Sequence, residues 1–106
     1  MKEQELKKLT IEWLSYNGFF AFPTNTGVFF LKGSNCKTRM FKSGIKGLAD
    51  IIALKNGQFY AIELKVDKNK PTPEQIEFLR EVNKHGCIGF VAWSLEEVIH
   101  RLTLLT

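Results

Sequence analysis

A mixed α/β (α+β) sandwich, with helices on both faces of one sheet, is the fold class the sequence predicts. Three observations carry that expectation. A helical stripe opens the chain, short apolar runs follow, and Asn56-Gly57 joins two of those runs. The 106 residues amount to one domain, 1–106, and a chain of this length can bury a single sufficient core. Hydrophobic residues make up 44% and charged residues 25%, a balance that excludes a disordered chain.

The elements follow in order. Residues 2–16 place Leu6, Leu9, Thr10, Trp13 and Leu14 on one helical stripe, and Gly18 supplies the stop. FFAFP (19–23) and GVFFL (27–31), separated by Thr24-Asn25-Thr26, are expected to be strands or an extended hairpin. Residues 32–47 hold three glycines, five basic residues (Lys32, Lys37, Arg39, Lys42, Lys46) and no acid, and are expected to be a loop. LADIIALK (48–55) and QFYAIELKV (58–66) are apolar strands whose Asn-Gly junction calls for a two-residue type I′ turn. Thr72-Pro73-Glu74-Gln75 then announces a helix, with Thr72 as N-cap, Pro73 at the first helical position and Gln75 closing a capping box. That helix should turn Ile76, Leu79 and Val82 inward and end at Gly86. CIGFVAW (87–93) is a buried strand, and Ser94 with Glu97 caps a last helix carrying Val98 and Leu102 on one face. With the two aromatic runs counted as one element, the order is α-β-β-β-α-β-α.

Composition narrows the function classes. Two cysteines, Cys36 and Cys87, are too few for a disulfide framework and lack metal-ligand spacing. They are expected to be buried, reduced thiols of an intracellular protein. No apolar stretch is long enough to span a bilayer, and MKEQELKK does not begin a signal peptide. A cytoplasmic protein is therefore expected, without a membrane partner. No phosphate-binding glycine loop, nucleophilic Ser/His/Asp arrangement or zinc motif is present, so no organic cofactor is expected. The formal net charge of +4 permits a nucleic-acid partner.

The hairpin geometry predicts a charged cluster. If Lys55 pairs with Gln58, Asp50 sits opposite Glu63, and directly opposed residues have Cβ atoms roughly 4.5–5.5 Å apart on one face. Lys65 points to the same face, as do Leu48, Ile52, Leu54, Phe59 and Ala61. Ala49, Ile51, Ala53, Tyr60, Ile62, Leu64 and Val66 take the other, so both faces should be covered. Two opposed carboxylates need a positive charge between them. Lys65 is one, and a divalent cation with oxygen ligands is another; an ion-paired patch without function is the bland alternative. With Leu6 and Trp13 as the centre of the first helix's stripe, Glu3 falls about 70° away, Glu5 about 90° and Glu12 about 110°. Glu3 is then the helix acid best placed to face the sheet, with Glu5 close behind; as a solvated residue it would equally suit the helix dipole.

Gly47-Leu48-Ala49-Asp50, then Glu63-Leu64-Lys65, then Gln75 in the next helix resembles the VRR-NUC (virus-type replication-repair nuclease) family of the PD-(D/E)XK nuclease superfamily. The motif G-x-x-D, E-x-K and a downstream Gln occur in order, and the likeness runs from Glu3 to the strand at 87–93. Ala49 departs from a frequent proline at a structural position. The resemblance implies a restriction-endonuclease-like αβββαβ core. It implies that Asp50, Glu63 and the main-chain carbonyl of Leu64 bind Mg²⁺ or Mn²⁺. Lys65 would orient or deprotonate the attacking water, Glu3 would complete the metal's ligand shell or hold a metal-bound water, and Gln75 would brace Lys65 or the substrate, although its cap explains it equally well.

The activity so implied is that of a metal-dependent DNA endonuclease. Stand-alone members from phages and bacteria resemble Holliday-junction resolvases of DNA repair, and paired incision suits a homodimer in the bacterial or phage-infected cytoplasm. Phosphate contact is expected from Lys37, Arg39, Lys42 and Lys46, with Lys68 and Lys70 extending the surface. A flap, nick or duplex nuclease, or a non-catalytic DNA-binding subunit, are the rival readings. His85 and His100 are expected to be structural, and Phe19, Phe20, Phe22, Phe29 and Phe30 to be core or subunit interface.

Overall fold

The computed structural model describes residues 1–24, 28–32, 38–42 and 45–104, the side chains of 28–32 and 38–42 excepted. Helix α1 (Glu3–Tyr16) has no glycine or proline to interrupt it, and Glu3 and Glu5 in its first turn suit the positive end of the helix dipole. It buries Leu6, Thr10 and Leu14, a strict i, i+4, i+8 row. Thr10 is admitted because its hydroxyl donates to the Leu6 carbonyl at 2.7 Å. Leu9 lies 38% exposed and Trp13 is half-buried, so the stripe is narrower than expected and centred elsewhere. Gly18, at φ +85°, turns the chain out of the helix.

The two aromatic runs do not pair with each other. Strand β1 (Phe20–Pro23) instead lies antiparallel to β4 (Ile51–Lys55), while β2 (Val28–Lys32) pairs with β3 (Thr38–Lys42) in a separate two-stranded sheet. The expected basic loop 32–47 thus contains a strand. Its Thr, Met and Phe favour extended backbone, and the flanking glycines and lysines masked that preference. Residues 33–37, 43 and 44 lie outside the described residues.

The main sheet has the order β1-β4-β5-β6, with β5 at Gln58–Leu64 and β6 at Ile88–Ala92. β4 and β5 are antiparallel in the expected register, from Lys55↔Gln58 to Ile51↔Ile62. Asn56 and Gly57 both have positive φ, 51° and 80°, as a type I′ turn demands. β5 runs parallel to β6, joined through α2 (Pro73–Lys84), so the sheet is mixed. α3 spans Leu95–Leu104.

Alternation along β4 and β5 makes two core layers. Ile51, Ala53, Tyr60, Ile62 and Leu64 face Leu6 and Leu14 of α1 and Val98 and Leu102 of α3. Ile52 and Ala61 face Leu79 of α2. Each fully buried Leu or Ile contributes roughly 1.5–3 kcal/mol by leaving water. Ala49 departs from expectation by joining the α2 layer, because it precedes β4 and is not bound by the strand's alternation. The faces are also not covered throughout. α2 packs against the two strands it connects, and Phe20 (67%), Phe22 (37%) and Leu54 (37%), together with Ile76 (44%) on α2 itself, remain exposed. Cys87 is a free thiol but only half-buried, since it precedes β6, and Cys36 lies outside the described residues. No helix among the described residues is long and apolar enough to cross a membrane.

Candidate active site

Asp50 stands one residue before β4, where the ladder with β5 stops. Its backbone is pinned from the β1 side. The Thr24 N–H donates to the Asp50 carbonyl at 2.9 Å, and the Thr24 hydroxyl donates to the Ala49 carbonyl. The Asp50 carboxylate then takes the place of a ladder partner, its Oδ2 accepting the Leu64 N–H at 2.9 Å. Thr24 carries no functional signal in the sequence, where it separates two apolar runs.

Glu63, the next to last residue of β5, is 1% exposed. Both its Oε atoms are buried without a hydrogen-bond partner. Such an orphan is costly, and a carboxyl meets the cost by keeping its proton. Burial first, and then the adjacent Asp50 carboxyl, push its pKa from 4.5 up to about 9. Lys65 pulls in the opposite direction, and Glu3 adds a smaller upward push.

Helix α1 brings two charges to this cluster. Measured from the observed row Leu6–Thr10–Leu14, Glu3 lies about 20° from the buried centre at 100° per residue, and Lys7 about 60°. Glu3 is accordingly half-buried, whereas Glu5 and Glu12 are exposed. Lys7 is not among the residues the sequence pattern points to. Its Nζ lies 3.9 Å from Asp50 Oδ1, with side-chain exposures of 17% and 10%. The available signal was the spacing of Glu3 and Lys7, which puts both on one side of the helix.

Lys65 is half-buried, and its N–H donates to the Ala92 carbonyl at 3.0 Å, extending the parallel ladder beyond Leu64↔Ala92. Leu64 is buried between the two charged residues of E-x-K. Gln75 is held by the cap of α2. Its N–H donates to Thr72 Oγ1 at 3.2 Å, and its Oε1 accepts the Thr72 N–H at 2.8 Å. Gly47, at φ +74°, lies flat against that first turn, where a Cβ would come within 2.2 Å of the Glu74 carbonyl oxygen. This glycine therefore locks the segment leading into Asp50 onto the start of α2.

The expected phosphate contacts are only partly within view. Lys46, Lys68 and Lys70 are exposed, the last two around a turn closed by Asn69 N–H to Val66 O and tied down by Trp93 Nε1 donating to Asn69 O at 2.8 Å. Lys37 lies outside the described residues, as do the side chains of Arg39 and Lys42. His85 faces Glu81 at 3.8 Å and His100 is exposed on α3.

The donor set suits a hard divalent cation. Asp50 Oδ1 and the two orphaned oxygens of Glu63 are carboxylate oxygens, the ligands Mg²⁺ and Mn²⁺ prefer, and Mg²⁺ commonly takes only one or two of them. No group of three or more His, Cys, Asp or Glu side chains converges among the described residues, so Glu3 bears on Glu63 by charge from outside that pair.

No protein-family model matches the chain, and no curated protein matches it by sequence. Among solved structures it is similar to Archaeoglobus fulgidus Hjc, a Holliday junction resolvase from an archaeal hyperthermophile. The TM-score is 0.57 at 20% identity, over 86% of this chain and 67% of that one. The two chains share a fold. The likeness concerns the arrangement of helices around the mixed sheet, and the roles of individual residues rest on the geometry above.

Proposed function

We propose that the chain is a single nuclease domain of PD-(D/E)XK type, similar to the VRR-NUC family, that hydrolyses DNA phosphodiesters with Mg²⁺ or Mn²⁺. The observation that carries this reading is the Glu63 carboxyl, buried with both oxygens unpartnered beside Asp50. A structural ion pair would satisfy those oxygens, whereas a cation site leaves them available.

Asp50, Glu63 and the Leu64 carbonyl would hold the ion, and a cation bound there supplies Lewis acidity at a phosphoryl oxygen and activates water. Lys65 Nζ orients the attacking water and stabilises the charge that develops on the phosphoryl group. Glu3 adds negative charge beside Glu63 and so strengthens cation binding. Gln75 positions the start of α2 against Gly47.

The site lies at a sheet end, and Lys46, Lys68 and Lys70 are exposed on segments entering and leaving it. Together with Lys37, Arg39 and Lys42 they would follow a phosphate backbone and bind by shape rather than base sequence. Neutralising Lys37, Arg39 and Lys42 together should weaken DNA binding and flatten its salt dependence by nearly one unit of log–log slope per lost phosphate contact, about 0.9 each. An unchanged slope in a salt titration would remove these residues from the contact surface.

A junction-resolving activity is the finer part of the reading. It is supported by the family resemblance and by the fold shared with a Holliday junction resolvase, and it calls for a homodimer with two sites. Labelled four-way junction, flap and plain duplex DNA, each with Mg²⁺, Mn²⁺ or EDTA, separate the possibilities. Paired, metal-dependent cuts in the junction are expected. Cutting of flap or duplex alone would leave a nuclease without junction preference, and binding without cutting in any metal would leave a DNA-binding subunit.

A further inference from the structure

Asp50 has one oxygen committed to the fold and one to spare. Oδ2 is fixed by the Leu64 N–H, and the other, Oδ1, is the oxygen that Lys7 faces at 3.9 Å. Oδ1 is the oxygen that no backbone group holds and so the readier ligand for a cation, and Lys7 already stands there. Both side chains are largely withdrawn from solvent, so their attraction is less screened than that of a surface pair. Lys7 is held in this position by its own helix, because the buried row of Leu6, Thr10 and Leu14 fixes the rotation of α1 against the sheet.

We propose that Lys7 is a positioning residue that holds Asp50 Oδ1 until a divalent cation displaces it, and that the released ammonium then engages the phosphodiester brought to the same place. This rests on the nuclease reading above. Two consequences follow from one side chain. Lys7 opposes cation binding, since it competes for the same oxygen. It also favours substrate binding, since an ammonium displaced from a carboxylate finds an equivalent anionic partner in the phosphate. Lys65, just past the end of β5, bears on Glu63, the other carboxyl of the pair.

The test uses the full chain and Mn²⁺ alone, titrated calorimetrically into wild type, Lys7→Gln and Lys7→Arg, followed by steady-state cleavage of a four-way junction at saturating Mn²⁺. Lys7→Gln should bind Mn²⁺ roughly three- to tenfold more tightly than wild type. Its KM for DNA should rise by a similar factor with a smaller change in kcat, and Lys7→Arg should lie near wild type in both. An unchanged or weakened Mn²⁺ affinity in Lys7→Gln overturns the proposal. So does an unchanged KM, and so does a wild type that takes up no Mn²⁺. A tighter Mn²⁺ affinity in Lys7→Gln with no cleavage by any variant would instead sink the nuclease reading while leaving the hold of Lys7 on Asp50 in place.

Discussion

Glu63→Gln is expected to remove metal-dependent cleavage and, in EDTA, to make the protein more stable than wild type at alkaline pH. The sign follows from the raised pKa. Unfolded, the Glu63 carboxyl titrates near its usual 4.5, and folded it titrates near 9. Below pH 4.5 both states are protonated and nothing is lost. Between those two values the unfolded chain gives up a proton that the folded chain retains, so stability falls as pH rises, by up to about 1.4 kcal/mol per pH unit. Above pH 9 the contribution is flat. Against a total stability of roughly 5–15 kcal/mol, a slope of that size over several units is a large effect. Glutamine carries no such proton, so the difference between the two denaturation curves should grow from pH 5 to pH 8. Parallel curves would mean that Glu63 is ionised in the folded protein. The loss of cleavage should be on the order of a thousandfold, several kcal/mol of transition-state stabilisation.

Gly47→Ala is expected to be among the most damaging single substitutions available. Positive φ costs a residue with a Cβ about 1 kcal/mol. The larger penalty is steric, since the new methyl would sit 2.2 Å from the Glu74 carbonyl oxygen and 2.6 Å from the Gln75 nitrogen. Those are backbone atoms in the first turn of a capped helix, and they cannot step aside as a flexible side chain can. Relief requires α2 or the segment before Asp50 to move. Overpacking of this kind costs roughly 1–3 kcal/mol, so the total should be about 2–4 kcal/mol. Because that segment carries Asp50, metal affinity should fall with stability. A urea midpoint equal to that of wild type would show that the contact yields freely.

Much of the fold is written in short-range signals. The Asn56-Gly57 turn sets the β4–β5 register, and with it the approach of Asp50 to Glu63. The Thr72–Gln75 box starts α2 where its residues indicate. These are local chemistries, in which a turn or a cap is decided by residues within four positions of one another. What the sequence concealed is nonlocal. The choice of β4 as the partner of β1 depends on which apolar edge lies free once β4–β5 has formed. Nothing within FFAFP announces it. Thr38–Lys42 looked like loop because charge and flanking glycines outweighed its extended preference. The rotation of α1 differs from the expected one because Trp13, large and apolar, draws the centre of the sequence pattern toward itself. Packing places it at the rim and centres the row on Thr10, a member of the expected stripe that stands here in its middle. That rotation brings Lys7 to Asp50, which is why Lys7 escaped notice while Glu3 did not. The basic residues at 37, 39 and 42 remain expectations drawn from charge.

The central claim is that Asp50 and Glu63 together hold the cation that makes this chain a nuclease. Single-turnover cleavage of an end-labelled four-way junction in Mg²⁺ tests it most directly, with wild type and Asp50→Asn compared at equal folded concentration and EDTA as the blank. The expected result is symmetric paired nicking by wild type, abolished by EDTA and reduced on the order of a thousandfold in Asp50→Asn. Equal cleavage by the two proteins, or cleavage that persists in EDTA, would contradict the claim.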